Sequence, residues 1–143
     1  ISEPKFIRYV GVNGIQDMSE CIRTWEKKMG RRKAALNLAQ VIRMLEEIGT
    51  GGAGFRFVYS AFLQEAAEKT GFQELNDYSI RMTEIGDKWR EFAYKASRIF
   101  KKREGEQFTY DDLGDLLESI GKQERDFFMD LDAVVTSYLK SGK

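Results

Sequence analysis

Residues 75–100 read LNDYSIRMTEIGDKWREFAYKASRIF, and this stretch decides the fold class. Its apolar residues recur every three or four positions, which places them on one face of a helix. That face consists of Leu75, Tyr78, Met82, Ile85, Trp89, Phe92, Ala96, Ile99 and Phe100. The pattern predicts one long helix over about residues 73–102. Gly86 inside it costs about 1 kcal/mol relative to Ala, so we expect a close helix crossing or a bend there.

The same periodicity continues on both sides of this stretch and predicts an all-α bundle of about five helices. The other helices are predicted over about residues 15–29, 31–48 and 55–70, and from about residue 110 onward. Thr109, followed by Asp111 and Asp112, is typical of a helix N-terminus because its hydroxyl caps free backbone N–H groups. The helix over residues 55–70 is predicted to bury Val58, Tyr59, Phe62, Leu63 and Ala66, and Phe55 is also spaced as a core residue.

The first residues depart from the helical pattern. Residues 5–12, KFIRYVGV, are rich in β-branched and aromatic residues and show no helical stripe. We interpret residues 1–13 as a short extended arm, or as a linker from an upstream domain, and residues 14–143 as the helical bundle domain. A strand without a partner in its own chain is marginally stable, so such an arm is expected to pair with something outside this chain.

Composition excludes several classes of catalytic site. The chain has 143 residues, with 23 basic and 23 acidic side chains, one cysteine and no histidine. Without histidine it cannot by itself supply a Ser-His-Asp triad, a Cys-His pair or an imidazole metal site. Cys21 lies in the middle of a predicted amphipathic helix and is interpreted as a small packing residue. We therefore predict no catalytic residue, no metal site and no cofactor in this chain.

Cysteine usage and hydropathy also bear on location. One cysteine cannot form an internal disulfide, and the N-terminus lacks a charged leader followed by an apolar core. No stretch approaches the roughly 18 apolar residues that a membrane span requires. We predict a cytoplasmic protein with no membrane association, and we expect that the chain, which begins with Ile1, is a domain separated from what precedes it.

Charge is balanced in total but segregated along the chain. Five of the seven residues 27–33 are basic, a second basic cluster spans residues 95–103, and residues 111–132 hold eight acids against two bases. These segments are interpreted as solvated helix faces, or as two basic clusters that match the acidic helix, and we expect no nucleic-acid surface. Two carboxylate pairs lie four residues apart, Asp111 with Asp115 and Asp126 with Asp130, and are interpreted as solvated or ion-paired.

Residues 49–56, GTGGAGFR, hold four glycines in six positions between two predicted helices. They match G-x-G-x-x-G, but that dinucleotide signature must follow a strand, and Phe55 and Arg56 replace the Lys and Ser/Thr of a P-loop. One interpretation is an anion site built from free backbone N–H groups, Thr50 and Arg56. The other is a structural turn whose glycines adopt positive φ, with Arg56 bound to helix-end carbonyls or to Glu46 or Glu47.

Residues 48–67 also carry a family resemblance, through a G-T-G-G turn, then F-R, then Y-x-x-F-L-x-E-A. These positions are filled by Gly49, Thr50, Gly51, Gly52, Phe55, Arg56, Tyr59, Phe62, Leu63, Glu65 and Ala66. The pattern resembles a helical domain of unknown function found in proteins similar to butirosin biosynthesis protein H. The similarity covers about residues 11–100.

The resemblance implies the C-terminal part of a bacterial two-domain acyltransferase of antibiotic biosynthesis, with a papain-like upstream domain that holds the catalytic cysteine and histidine. This chain would support the active-site cleft, and its turn would bind substrate or an acyl carrier protein. The candidate binding residues are Gly49, Thr50, Gly51, Gly52, Phe55, Arg56, Tyr59 and Glu65. The expected partners are the upstream domain and the carrier. The alternative is a stand-alone interaction module that forms a homodimer and whose glycine turn is purely structural.

Overall fold

The computed structural model describes residues 10–101 and 107–142. These residues form six α-helices and no strand, which confirms the predicted all-α bundle. The helices are α1 (Gly11–Ile22), α2 (Trp25–Met29), α3 (Arg31–Glu46), α4 (Arg56–Thr70), α5 (Leu75–Lys101) and α6 (Tyr110–Lys140). None of the helices in these two ranges is long and apolar enough to cross a membrane.

The N-terminal part differs from the prediction in two respects. Helix α1 begins at Gly11, so residues 11–13 are helical and do not belong to an extended arm, while residues 1–9 lie outside the described residues. The predicted first helix is also divided, because the backbone N–H and the hydroxyl of Thr24 both donate to the Cys21 carbonyl, at 3.0 and 2.8 Å. These local bonds replace the helical ladder and separate α1 from α2.

The start of α6 follows the sequence signal closely. The backbone N–H of Asp112 donates to Thr109 Oγ1 at 3.1 Å, and the backbone N–H of Thr109 donates to Asp112 Oδ2 at 2.8 Å. This reciprocal arrangement is a capping box, which satisfies two backbone N–H groups at once. Helix α6 therefore begins where the sequence predicts.

Helix α5 lies at the centre of the bundle. It contacts α3, α4 and α6, while α1 packs on α6 and α2 packs on α3. The largest fully buried side chains are Phe92, Phe127, Ile22, Leu38, Met82, Leu113, Leu117 and Ile120. Most come from α5 and α6, so these two helices provide most of the core.

The expected close contact at Gly86 is present. A Cβ atom placed on Gly86 would lie 2.7 Å from Phe57 Cε1, so the ring of Phe57 from α4 packs where α5 has no side chain. Nearby, Ser60 Oγ lies 2.8 Å from the Ser79 carbonyl and 2.8 Å from Thr83 Oγ1. These contacts set the position of α4, and with it the glycine turn, against α5.

The acidic helix α6 is matched by arginines outside both basic clusters. Arg23 Nη2 lies 2.8 Å from Asp115 Oδ1 and 3.5 Å from Glu118 Oε2. Arg81 Nη1 lies 3.0 Å from Asp130 Oδ2. Within the described ranges, none of the five cations of residues 27–33 forms an ion pair. The predicted carboxylate pairs are thus partly ion-paired, through Asp111, Asp115 and Asp130.

Candidate functional site

The turn between α3 and α4 has an unusual backbone. Its glycines Gly49, Gly51, Gly52 and Gly54 all have positive φ, between 55 and 86°. Ala53 and Phe55, which are not glycines, also have positive φ, 52 and 71° respectively. A side chain in this region is strained by about 1–2 kcal/mol, so the surrounding structure must impose these conformations.

The polar groups next to the glycines bond within the turn. The hydroxyl of Thr50 is buried and donates to the Leu45 carbonyl at 2.7 Å, which caps the end of α3. The backbone N–H of Ala53 donates to Glu46 Oε1 at 3.2 Å. Thr50 and one backbone N–H of the turn are therefore occupied internally and are not directed at a ligand.

Arg56 is also engaged within the chain. Its Nε and Nη2 donate to Oε1 and Oε2 of Glu124, at 2.7 and 3.2 Å, and its Nη1 donates to the Gly54 carbonyl at 2.9 Å. The guanidinium lies over the ring of Trp89, 4.7 Å from the centroid. The acid that binds Arg56 is thus on α6, and it is neither Glu46 nor Glu47.

Glu124 is the residue on which this arrangement converges, and the sequence interpretation missed it. It is only 3% exposed, and Oε1 also accepts from Trp89 Nε1 at 2.8 Å. A buried carboxylate requires partners, and two donors from Arg56 and one from Trp89 provide them. The sequence did contain a signal for this residue, because Glu124 falls between Ile120 and Phe127 on the apolar stripe of α6. A charged residue on an apolar stripe indicates a buried ion pair.

The side of α4 next to the turn exposes large apolar side chains. Phe55, immediately before α4, and Val58 and Phe62 on α4 are 58, 54 and 57% exposed. Val58 and Phe62 lie four residues apart, on one face of the helix. We call these three residues the α4 ridge. A Cβ on Gly51 would lie 3.2 Å from Val58 Cγ2, so the turn packs directly beside the ridge. The prediction that these residues face the core was wrong, because α5 covers only the opposite side of α4.

The remaining candidates have different environments. Tyr59 is half-buried, and its ring lies 5.8 Å from that of Phe62 and 6.0 Å from that of Phe128. Burial raises the pKa of the Tyr59 phenol above its usual value. Glu65 is exposed and forms an ion pair with Lys69 at 2.8 Å, so its carboxylate is directed along α4.

Two further sequence interpretations concern catalysis and metals. Cys21 is exposed on α1, so the prediction that it packs in the core was wrong. Over residues 10–101 and 107–142, His, Cys, Asp and Glu form no group of three or more with the geometry to hold a metal ion. The described residues therefore offer the turn, the Arg56–Glu124–Trp89 cluster and the α4 ridge as the features from which a function must be argued.

Comparison with known protein families identifies one to which this chain corresponds. Residues 3–131 match the family described as "Domain of unknown function (DUF4872)". The chain belongs to this family. The DUF4872 match includes α1 to α5, the glycine turn, the α4 ridge and α6 as far as Leu131. No curated protein and no solved structure matches the chain.

Proposed function

We propose that this chain is a non-catalytic helical domain that packs against the catalytic domain of a larger acyltransferase, and that the α4 ridge is its docking surface. The observation that carries this proposal is Phe55, an aromatic side chain held in a strained conformation and yet 58% exposed. Strain at a side chain that is mostly exposed favours a role in contact with another surface.

The geometry of the ridge supports a docking role. Val58 and Phe62 share one exposed face of α4 and Phe55 lies immediately before the helix, and an exposed apolar helix face is the feature that inserts into an apolar groove of a partner. Buried aromatic side chains supply a large part of the binding energy of protein interfaces. The ion pair between Arg56 and Glu124 holds the first turn of α4 and so fixes where the ridge begins.

The resemblance of residues 48–67 to butirosin biosynthesis protein H-like enzymes suggests which partner the ridge meets. In that interpretation, the upstream domain is papain-like and contains the catalytic cysteine and histidine, whereas this chain has no histidine. The ridge then lies along the catalytic cleft and completes it. Contact with substrate or an acyl carrier protein at the turn would use Phe55 and the exposed Gly49 and Gly51, since three of the five N–H donors of Arg56 already bind Glu124 and Gly54.

The test uses the polypeptide encoded by the complete reading frame. Phe55→Ser combined with Phe62→Ser should reduce acyl transfer about tenfold or more, because burial of one such ring contributes about 1.5–3 kcal/mol. Leu36→Ser is the matched control, since Leu36 is 54% exposed on α3, away from the ridge. Unchanged transfer by the ridge variant, with both domains folded, would reject docking through the ridge.

A stand-alone dimerisation module is the second candidate, because the same exposed ridge is suited to a second copy of the chain. This hypothesis predicts that, as the concentration of the chain increases, the mass measured by sedimentation equilibrium rises to that of a dimer. Phe55→Ser should abolish this rise. A monomer at all concentrations would exclude this alternative.

A further inference from the structure

Five exposed cations lie at the junction of α2 and α3. We call them the α2–α3 cation cluster, and they are Lys27, Lys28, Arg31, Arg32 and Lys33. None of them forms an ion pair over residues 10–101 and 107–142. The cluster therefore presents positive charge to the surroundings of the chain.

The α2–α3 cation cluster does not stabilise the helix that carries most of it. Arg31, Arg32 and Lys33 occupy the first turn of α3, which contains no acid, and Gly30 before it provides no side-chain cap. The N-terminus of a helix carries partial positive charge, so cations there are unfavourable. Such an arrangement, with no compensating contact in the described parts of the chain, favours a negatively charged partner outside it.

An excess of the opposite charge lies at the start of α6. Four exposed carboxylates form what we call the α6 acid cluster: Asp111, Asp112, Asp115 and Glu118. Among the residues that the structure describes, the cations paired with this cluster are Arg23, 2.8 Å from Asp115, and Lys122, 3.9 Å from Glu118. Two cations do not neutralise four carboxylates, so the cluster keeps a negative charge.

The two clusters border one another on the same side of the bundle. A groove of about 330 Å³ lies between α2 and the start of α6, with Lys27 of the cation cluster on its wall together with Asp111 of the acid cluster. Burial raises the pKa of the Tyr110 phenol in this groove, Glu26 raises that pKa further, and Arg31 opposes them. The charges of the α2–α3 junction thus act directly on the first turn of α6.

A surface with a positive half beside a negative half is complementary to itself. When two copies of the chain meet about a two-fold axis through the groove, each cation cluster faces the acid cluster of the other copy. A nucleic acid or an anionic lipid surface would instead be repelled by the carboxylates that border the cations. The chain has no net charge, so repulsion between whole molecules does not oppose the contact of two copies.

We propose that this face joins two copies of the chain in a symmetric dimer, in which the α2–α3 cation cluster of each copy lies on the α6 acid cluster of the other. The cation cluster is at the N-terminal end of α3, whereas the glycine turn and the α4 ridge follow its C-terminal end. Helix α3 has 16 residues and is about 24 Å long, so the dimer leaves the ridge free. The inference therefore does not depend on the function proposed for the ridge.

Sedimentation equilibrium of the chain measures the salt dependence of this contact. We expect the dissociation constant of the dimer to rise about tenfold or more between about 50 mM and about 500 mM NaCl, because salt screens exposed charges. Phe55→Ser should leave the dissociation constant unchanged, whereas a dimer formed through the ridge would be lost in that variant and would persist in salt. A monomer at every concentration in the low-salt buffer would overturn the proposal.

Charge reversal identifies the residues in contact. Arg31→Glu combined with Arg32→Glu should give a monomer, and so should Asp111→Lys combined with Glu118→Lys, because like charges then face one another. An equimolar mixture of the two double variants should form a dimer again, since both contacts then pair opposite charges. Far-UV circular dichroism shows that each variant is folded, and the arginine variant should fold well because acids are favourable in the first turn of a helix.

The matched control changes the net charge by the same amount at the other end of α6. Lys140 is the last residue of α6, and Lys69 precedes Thr70, whose carbonyl accepts from the hydroxyl of Tyr138 at 3.1 Å. Lys69→Glu combined with Lys140→Glu should therefore dimerise as the native chain does. Loss of the dimer in this control, or a mixture of the two charge-reversed variants that stays monomeric, would overturn the proposal.

Discussion

Arg56 and Glu124 lie 68 positions apart in the chain and meet in a two-point ion pair, with Nε–Oε1 at 2.7 Å and Nη2–Oε2 at 3.2 Å. Trp89 from α5 donates to the same carboxylate at 2.8 Å. One buried acid therefore connects the start of α4, the middle of α5 and the middle of α6. The glycine turn keeps its shape because this cluster fixes the residue that follows it.

Replacement of Arg56 should be strongly destabilising. Arg56→Met leaves the carboxylate of Glu124 buried with only the Trp89 donor, and removal of one partner of a buried pair costs about 3–5 kcal/mol. Urea unfolding measures the loss, and Lys33→Ala, an exposed cation on α3, should change stability by less than about 0.5 kcal/mol.

The companion variant separates charge from packing. Adding Glu124→Gln to Arg56→Met removes the unpaired charge and keeps an oxygen that accepts from Trp89, so we expect about 1 kcal/mol or more to be regained. A further loss in the double variant would contradict the view that the buried charge is the dominant cost.

Phe55 should show opposite effects on stability and on docking. Its φ of 71° is strained for a side chain, and 58% of it is exposed, so Phe55→Gly removes strain while giving up little packing. We expect the free energy of unfolding of the isolated chain to rise by about 1 kcal/mol, and the full-length protein to lose transfer activity. Thermal unfolding measures the stability, and an acyl-transfer assay measures the activity. Gly71→Ala is the reverse control, because it places a side chain at a φ of 74° and should therefore destabilise the chain. If Phe55→Gly lowered the stability of the chain, the inference that the Phe55 backbone is strained would be contradicted.

The effect of Gly114→Ala on stability should depend on whether Arg23 is present. In the native chain, a Cβ at Gly114 would lie 2.6 Å from Arg23 Cγ and displace the side chain that binds Asp115 at 2.8 Å. The better helix propensity of Ala, about 1 kcal/mol, opposes this clash. We therefore expect Gly114→Ala to destabilise the native chain but to stabilise the Arg23→Ala variant, as measured by urea unfolding. If Gly114→Ala changed the free energy of unfolding in the same direction in the native chain and in the Arg23→Ala variant, the Arg23 side chain would not require the space above Gly114.

Tyr59 should make stability depend on alkaline pH. Because burial raises the pKa of its phenol, the unfolded chain ionises first, and between the two pKa values the folded state binds more protons. The contribution of Tyr59 is fully present below pH 10, the usual pKa of tyrosine, and is lost as pH rises through the folded-state pKa.

Tyr59→Phe should accordingly make the chain less sensitive to pH above 10, as followed by urea unfolding at several alkaline values. Phe100→Leu removes a ring that is 41% exposed and carries no ionisable group, and it is the control variant, for which we expect the pH dependence of the native chain. Tyr110 should retain a similar contribution in both variants, because burial and the nearby Glu26 raise the pKa of its phenol as well. Identical pH dependence of the Tyr59→Phe and native chains would exclude this role.

The sequence predicted those features that depend on neighbours along the chain. The helix start at Thr109 and the helical stripe of α5 were both foreseen, because each depends on residues a few positions apart. The close contact at Gly86 was foreseen as well, since a glycine inside a strong helix pattern needs a packing reason. The division of α1 from α2 was missed, because the Thr24 hydroxyl competes with the helix ladder without a distinctive motif.

The candidate site was predicted less well, for a different physical reason. Periodicity shows that Val58 and Phe62 share one face of α4, but it does not show whether another helix covers that face. It likewise shows that a charge interrupts the apolar stripe of α6 at Glu124, but it does not identify the partner. Arg56 was assigned to nearby acids because only short distances along the chain could be considered.

The sequence by itself determined the all-α class, most of the helix ends and the position of the glycine turn, since these follow from local hydrogen bonding and helical spacing. Only the tertiary structure decided what the turn does with its polar groups and which apolar residues are exposed. Those outcomes depend on contacts such as Arg56 with Glu124 and Phe57 with Gly86. Burial is a property of the assembled helices, so the exposed ridge of α4 became apparent only once α5 was packed against its other side.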